Sequence, residues 1–270
     1  HRVNRNYGKI SGRLAIVEGD LYEPVFGPKG GEELTRVLKE PQTYRVSTDR
    51  DAPGRGIHTK VERFFPLITP GFCATCHDVT LVNGFRLEEA FAEYHQSPAS
   101  KEGVTCQDCH MGKEQGVVSG YEEGPAAIVG GQPTQPRKLA SHFFAGPDHS
   151  ILPPGLFPLN VKAQSFKTMR EWMAFDDAAG WGTDAFENAA SRDYAFPEAW
   201  RSIDDRYDGR KIIEEQKLRL EKADERRMEV LRNGLALGEI EITAADPDDL
   251  AFSVPVRNIT NGHAVPTGFD

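Results

Sequence analysis

The sequence predicts a mixed fold, with a loop-rich and partly α-helical region over 1–160, a helical region over 161–235 and the start of a β-rich element over 236–270. Three observations support this division. The first region is rich in Gly and Pro, and it holds the same five-residue pattern, CxxCH, at 73–77 and 106–110. The second region contains a long charged stretch with helical spacing, and the third alternates apolar and polar residues as a strand does.

Short elements joined by loops are expected in the first region. An apolar run within 12–20 is typical of a strand, and strong helix formers over 87–94 predict a short helix that ends near His95. Between 112 and 158 Gly and Pro are frequent, and neither helical nor alternating periodicity is evident. Side chains alone are therefore expected to supply little apolar core there.

Helices are predicted over 164–178 and 208–233 in the second region, the longer one ending with Asn233 and Gly234 as its C-cap. The long helix is highly charged and has a narrow apolar stripe made by Ile213, Leu220, Ala223, Val230 and Leu231. The tryptophans are expected to be packing residues: Trp172, Trp181 and Trp200. A β-hairpin is predicted over 239–256, and it would belong to a small β-domain.

Composition narrows the classes of partner. The formal net charge is −9 and the mean hydropathy is −0.51, which argues against nucleic acid because phosphate binding needs clustered Lys and Arg. A basic protein partner suits the charge better. No apolar run approaches the roughly 20 residues that span a bilayer, so no membrane span is predicted in this segment.

The two CxxCH patterns carry the chemistry, and the chain's four cysteines are all in them. A c-type haem needs two thiols about one turn apart for its two vinyl groups, and an adjacent imidazole for its iron. The pattern supplies both. We therefore expect at least two covalently attached haems, one at Cys73, Cys76 and His77, the other at Cys106, Cys109 and His110.

Zinc is the main rival, because two CxxC pairs separated by 29 residues also fit a four-cysteine site, and two disulfides are a further alternative. Spacing alone does not exclude them. A zinc site needs no His after each pair, however. His occupies 8 of 270 positions, so two such neighbours by chance are roughly a one-in-a-thousand event.

The remaining histidines exceed what two haems need on their proximal side, and distal ligation of iron explains the excess. They are His1, His58, His95, His142, His149 and His263. A second imidazole gives six-coordinate iron, which suits electron transfer rather than substrate binding. His263 lies in a Gly- and Pro-containing loop after a strand, which can present a ligand rigidly. Haems would also supply the apolar burial that the loops lack, so the fold is expected to be haem-organised.

Several stretches resemble the multihaem c-type cytochromes related to the tetrahaem electron carrier of nitrifying bacteria and to hydroxylamine oxidoreductase-like proteins. Besides the CxxCH patterns they are EYHQSP at 93–98, SHFFAG at 141–146 and GHAVPTG at 262–268. The resemblance implies distal roles for His95, His142 and His263. It also implies that this is a segment of a longer chain, in which His1 is the proximal ligand of a further haem whose cysteines precede it.

Three functions follow as hypotheses. The first is electron transfer through several close haems, with redox proteins as donor and acceptor and further copies of the chain as additional partners. The second is a multihaem oxidoreductase that acts on a small nitrogen or sulfur compound at one open iron. The third is a zinc-stabilised interaction module. Thioether attachment of haem implies a periplasmic, cell-surface or extracellular location.

Overall fold

The computed structural model describes the backbone of residues 2–3 and 16–17, and all of residues 19–147 and 160–265. Two compact units are present. Unit 1 comprises His1–Ala145 and Glu229–Asp270, and unit 2 comprises Gly146–Met228. Within the described ranges, none of the helices combines the length and the apolar character that crossing a bilayer requires.

Unit 1 begins with short strands that pair two by two. They are β1 Arg2–Val3, β2 Ile16–Val17, β3 Val25–Gly27, β4 Val46–Ser47, β5 Arg55–Gly56, β6 Val61–Arg63, β7 Val79–Thr80, β8 Arg86–Glu88, β9 Glu122–Pro125, β10 Ile128–Val129, β11 Gln132–Pro133 and β12 Pro136–Leu139. The pairs β3 with β6 and β4 with β5 are parallel. The pairs β1 with β2, β7 with β8, β9 with β12 and β10 with β11 are antiparallel.

Short helices lie between these strands, and two of them contain the CxxCH residues. They are α1 Glu32–Lys39, α2 Pro41–Tyr44, α3 Pro70–Ala74, α4 Ala90–Gln96, α5 Pro98–Lys101 and α6 Cys106–His110, with a 3-10 turn at Phe65–Ile68. Helix α4 confirms the helix predicted before the second CxxCH pattern. Its start is later than predicted, because residues 87–88 belong to β8.

Strands β9 to β12 form a nested hairpin in the stretch where no periodicity was evident. The tip is Gly130-Gly131, with φ of 57° and 86°, as a two-residue hairpin turn of type I′ requires. A Cβ at Gly130 would lie 2.1 Å from the Tyr44 carbonyl oxygen, so glycine is also needed for space. Pro125, Pro133 and Pro136 interrupt the alternating pattern that would have marked these strands.

Unit 2 is helical. Its elements are α7 Val161–Phe166, α8 Met169–Trp172, α9 Asp184–Ala189, a 3-10 turn at Glu198–Trp200 and the first part of α10 Ile203–Gly234. The prediction of one helix over 164–178 was wrong, because Thr168 caps α8 in a capping box with Glu171 and ends the preceding helix. The long charged helix is confirmed. Gly234 is its last helical residue rather than a left-handed cap, and its carbonyl accepts from Ile259 N–H (3.0 Å).

An aromatic core stabilises unit 2 and confirms the packing role of the tryptophans. Trp172, Trp181 and Trp200 are buried together with Ala163, Phe175 and Ile213. The ring centres of Phe175 and Trp200 are 4.7 Å apart, and those of Trp172 and Trp200 are 5.2 Å apart. Beside this core the buried Arg206 donates to the Glu187 carboxylate (2.8 and 2.5 Å).

The C-terminal strands belong to unit 1. They are β13 Leu235–Leu237, β14 Glu241–Ala245, β15 Leu250–Ser253 and β16 Val256–Asn258. Strands β14 and β15 pair antiparallel across a turn at 246–249, which confirms the predicted hairpin. Strands β13 and β16 pair outside it, so that Leu235 lies opposite Asn258. The chain then enters the loop that contains His263.

Unit 1 has a small apolar core for its size. The buried hydrophobic residues among its described positions are two valines and two alanines, Val37, Val46, Ala74 and Ala99. Several large apolar side chains near the CxxCH residues are exposed instead: Phe65, Ile68, Phe72, Phe143 and Phe144. Exposed aromatic side chains in such numbers are typical of surfaces that pack against a further apolar group.

Candidate functional site

The first motif, residues 73–77, starts inside α3. Thr69 precedes the helix and Pro70 occupies its first turn, where the missing N–H of proline costs no hydrogen bond. The helical turn continues through the motif, since His77 N–H donates to Cys73 O (2.9 Å). The spacer residues Ala74 and Thr75 are buried, whereas Cys76 and His77 are exposed. The turn thus directs the second thiol and the imidazole outward.

The second motif, residues 106–110, is helix α6. Thr105 and Asp108 form a capping box, in which each side chain accepts from the backbone N–H of the other. Burial tends to raise the pKa of Asp108, but hydrogen bonds from Thr105 and Tyr121 outweigh it and lower that pKa below its usual value. The carboxylate is therefore held charged at the helix start, where the helix dipole favours it.

The two motifs lie side by side. Gln107, a buried spacer residue of the second motif, donates from Nε2 to Thr69 O (2.8 Å) and Leu67 O (3.3 Å) at the entrance to α3. The thiols of Cys73 and Cys106 are close enough for each to shift the pKa of the other. One residue from each predicted haem site therefore meets its counterpart.

The interaction between the two thiols shifts their pKa values in opposite directions. The hydrogen bond from Cys106 lowers the pKa of Cys73, while the same bond and then burial raise the pKa of Cys106. Burial also raises the pKa of Cys109. All four cysteines are free thiols, which is the form that adds to a vinyl group to make a thioether.

The imidazole rings of His110 and His263 are neighbours with nearly parallel planes. Their ring centres are 6.1 Å apart and their planes differ by 14°, a separation too wide for direct stacking. Two imidazoles on opposite sides of one metal ion have centres about 6 Å apart, since each metal–nitrogen bond is about 2 Å and each ring centre lies about 1 Å beyond its nitrogen. The distance between the two ring centres therefore matches that of two axial histidines on one iron.

Both rings are suited to ligation. His263 Nδ1 lies 2.7 Å from Ala264 O; with the proton on Nδ1, the lone pair of Nε2 is left for a metal. Burial, followed by the proximity of His263 and His77, lowers the pKa of His110 to about 4. At neutral pH the His110 imidazole is consequently uncharged, which is the ligand form.

His77 faces a carboxylate. Glu88 Oε1 lies 3.8 Å from His77 Nδ1, too far for a hydrogen bond but on the side that a proximal histidine leaves free when Nε2 binds iron. Phe91 N–H donates to His77 O (2.9 Å) and so ties α4 to the end of the first motif.

The remaining predicted ligands have other neighbours. His58 Nδ1 lies 2.6 Å from Leu21 O, and the His95 ring centre lies 6.1 Å from that of Phe91. His142 is exposed and contacts Phe144. Its segment reaches the second motif, since Ser141 N–H donates to Met111 O (2.9 Å). His1 and His149 lie outside the described residues.

The zinc and disulfide alternatives would use the same four cysteines. The cysteines are unpaired. Over residues 19–147 and 160–265, no group of three or more His, Cys, Asp or Glu side chains is arranged to hold a metal ion. A pair of imidazoles such as His110 and His263 is the axial set that a haem needs, because its porphyrin supplies the other four ligands.

Sequence reasoning missed the residues that hold the segments of His110 and His263 in place. The buried Gln115 amide lies 3.1 Å from His110 O and 3.3 Å from Phe143 O, and it donates to both with its nitrogen facing them. Glu93 accepts from Ala264 N–H (2.8 Å) beside His263. The T-x-x-D pattern of Thr105 and Asp108 could have predicted the helix cap from sequence. The contacts of Gln115 and Glu93 join distant parts of the chain, so no local pattern predicts them.

Comparisons with protein-family models, with curated proteins and with solved structures found no match to this chain.

Proposed function

We propose that this chain is an electron-transfer protein with at least two covalently attached c-type haems. Cys73 and Cys76 would attach one haem, with His77 as its proximal ligand. Cys106 and Cys109 would attach the other, with His110 on its proximal side and His263 as its second axial ligand. The multihaem c-type cytochromes that the sequence resembles have the same combination of motifs.

One observation carries the proposal: His110 and His263 are parallel to within 14° at a separation of 6.1 Å. Iron held between two imidazoles has no open position for a substrate and changes geometry little on reduction, so it exchanges electrons readily. A bound haem supplies a one-electron couple. The chain's own residues fix the axial ligands, through the Nδ1 contact of His263 and the carbonyl contacts of Gln115.

The contact between Cys73 and Cys106 supports transfer between two haems. Since each thiol would become a thioether at the edge of its own haem, two touching thiols would bring those edges together. The small apolar core of unit 1 and its exposed Phe65, Phe72, Phe143 and Phe144 also support the proposal, because macrocycles would cover such surfaces.

The net charge of −9 favours basic redox proteins as donor or acceptor, with association that weakens as salt rises. We propose a location in the periplasm, at the cell surface or outside the cell, where c-type haems are attached and kept. Further copies of the chain are additional candidate partners.

The test is haem content. The chain is produced in a host that attaches c-type haem, and intact mass and the reduced absorbance spectrum are measured for the parent and two double variants. Cys73→Ala with Cys76→Ala, and Cys106→Ala with Cys109→Ala, should each lose exactly one haem. Colourless parent protein with the mass of its peptide alone would end the proposal.

A multihaem oxidoreductase is the second candidate, favoured by the surroundings of His77. That imidazole is 64% exposed and its neighbour is the Glu88 carboxylate, an acid–base group of the kind that active sites use. EPR spectra separate the two candidates. Low-spin signals alone support a carrier, whereas a high-spin haem that binds nitrite or hydroxylamine supports an enzyme at the first motif.

A further inference from the structure

The loop at 258–264, which we call the His263 loop, is braced internally around one carbonyl. Asn258 Nδ2 donates to His263 O (2.9 Å), and the Thr260 hydroxyl lies at the same distance from that oxygen. Thr260 N–H also donates to Asn258 Oδ1 (2.8 Å). The loop is thus stiff in itself. At its start it is anchored where Asn258 pairs with Leu235 and Ile259 N–H donates to Gly234 O (3.0 Å), and farther along it is held to the helices before the second motif.

Two hydrogen bonds attach the His263 loop to those helices. Ala99 N–H, in the first turn of α5, donates to Asn261 O (3.1 Å). Glu93, on α4, accepts from Ala264 N–H through Oε2 (2.8 Å). The first bond joins two backbones. The second hydrogen bond is made by a side chain, and because its carboxylate acceptor is charged it is of the stronger, charge-assisted type.

An open groove adjoins these attachments. Its volume is about 440 Å³, and its lining includes Glu89, Glu93, Ser97, Asn261 and His263. The groove is lined by the loop on one side and by α4 and the start of α5 on the other. On this side, hydrogen bonds rather than close packing therefore hold His263 in place.

We propose that Glu93 is a positioning residue that latches the His263 loop, so that its carboxylate decides how firmly His263 stays opposite His110. This inference rests on the proposed ligation by His263. Glu93 contacts the residue that follows His263. It acts one residue away, through the backbone N–H of Ala264, and weakening the latch frees an axial position at the second haem.

Three variants of the full haem-loaded chain separate the effect of side-chain length from the effect of charge. Glu93→Gln keeps the reach and an acceptor oxygen. Glu93→Asp keeps the charge but shortens the side chain by one methylene, so that it no longer spans the 2.8 Å contact. Glu89→Gln is the matched control, because Glu89 lines the same groove and carries the same charge. Haem count and circular dichroism establish that each variant is loaded and folded.

The readouts are the EPR spin state and the rate of cyanide binding to the oxidised protein. Glu93→Asp should show a high-spin fraction and should bind cyanide roughly tenfold faster, the loss expected for one charge-assisted hydrogen bond. Glu93→Gln keeps a neutral hydrogen bond and should accelerate cyanide binding less than Glu93→Asp does. Glu89→Gln should remain low-spin and bind cyanide within about twofold of the parent rate. A merely structural defect would alter haem count or folding instead.

His263→Ala distinguishes failure of the inference from failure of the proposed function. If His263→Ala leaves every haem low-spin, His263 is not an axial ligand and the proposed ligation is wrong. If it produces one high-spin haem while Glu93→Asp behaves as the parent, the ligation stands and the latch is refuted. Cyanide binding that accelerates equally in Glu93→Gln and Glu89→Gln, but not in Glu93→Asp, would also refute the latch, because the loss of one negative charge would then explain the effect.

Discussion

At the scale of single residues, the hydrogen bond between the thiols of Cys73 and Cys106 has a chemical consequence. One thiol of a hydrogen-bonded pair ionises more easily, because the other donates to its thiolate, and the partner then ionises less easily. The pKa of Cys73 is lowered and that of Cys106 is raised. Since the thiolate is the reactive form, the two positions should differ in reactivity.

We predict that Cys73 is alkylated several-fold faster than Cys106 by iodoacetamide near pH 8, in chain produced without haem attachment. Peptide mass spectrometry over a pH series measures both rates. Cys106→Ala removes the hydrogen-bond donor and should slow alkylation of Cys73. Equal rates at the two cysteines, or a Cys73 rate unaffected by Cys106→Ala, would contradict the assigned interaction.

At the scale of elements, α6 is a five-residue helix whose start depends on its cap. So short a helix has little stability of its own, and the capping box of Thr105 and Asp108 satisfies donors that its first turn leaves unpaired. Tyr121 also donates to Asp108 (2.8 Å). The orientation of Cys106, Cys109 and His110 therefore depends on these two capping residues.

We predict that Thr105→Ala lowers the free energy of unfolding of unit 1 by about 1 kcal/mol, the usual cost of losing such a cap. Urea unfolding followed by haem absorbance measures it. Thr168→Ala removes the equivalent capping box in unit 2 and should leave the haem absorbance transition unchanged. A Thr105→Ala transition that coincides with the parent transition would refute the role of the cap.

The same cap should be sensitive to acid. The pKa of Asp108 is lower in the folded chain than the ordinary 3.8, so its contribution is present above that pH and is lost as the pH falls through the folded value. Asp108→Asn should reduce stability at neutral pH and should flatten this part of the acid dependence. Unfolding curves collected between neutral pH and pH 3 test both effects.

Elements with local signals were predictable, and those that depend on pairing were less so. The spacing of apolar residues predicted α10, and the alternation of apolar and polar residues predicted the hairpin of β14 and β15, because each of these patterns lies within one stretch of sequence. The nested hairpin of β9 to β12 is exposed and contains prolines, so it lacks alternation. Thr168 interrupts the predicted helix over 164–178 because its side chain offers the backbone a cap.

The candidate site likewise contains residues that a local motif predicts and residues that only the fold brings together. Each CxxCH motif is a local pattern, so Cys73, Cys76, Cys106 and Cys109 can be assigned from sequence with their histidines. The approach of His263 to His110 joins residues 153 positions apart, and only the fold brings them together. The resemblance of the Gly-His loop indicated His263 as a ligand, whereas nothing local indicated Glu93 or Gln115.

At the scale of the whole molecule, the two units have different sources of stability. Unit 2 has a buried aromatic core around Trp200 and the buried pair of Arg206 and Glu187. Unit 1 has few buried apolar side chains among its described residues, and it contains both CxxCH motifs. If haems supply the missing burial, loss of haem should affect unit 1 far more than unit 2.

We predict that replacing all four cysteines by serine leaves a cooperative unfolding transition in unit 2 and makes unit 1 sensitive to protease. The chain's three tryptophans are all in unit 2, so their fluorescence reports that unit directly. Limited proteolysis with mass spectrometry locates the cleavage sites. Cleavage confined to unit 2, or unit 1 resistance equal to that of the haem-loaded parent, would contradict the prediction.

Gln107 links the two motifs in a way that bears on biosynthesis. Its amide is buried and donates to Leu67 O and Thr69 O of the preceding segment, although it is one of the two spacer residues inside the second motif. If haems are attached as proposed, an enzyme would need access to this motif. Attachment at the second motif would then have to precede closure of the chain around Gln107.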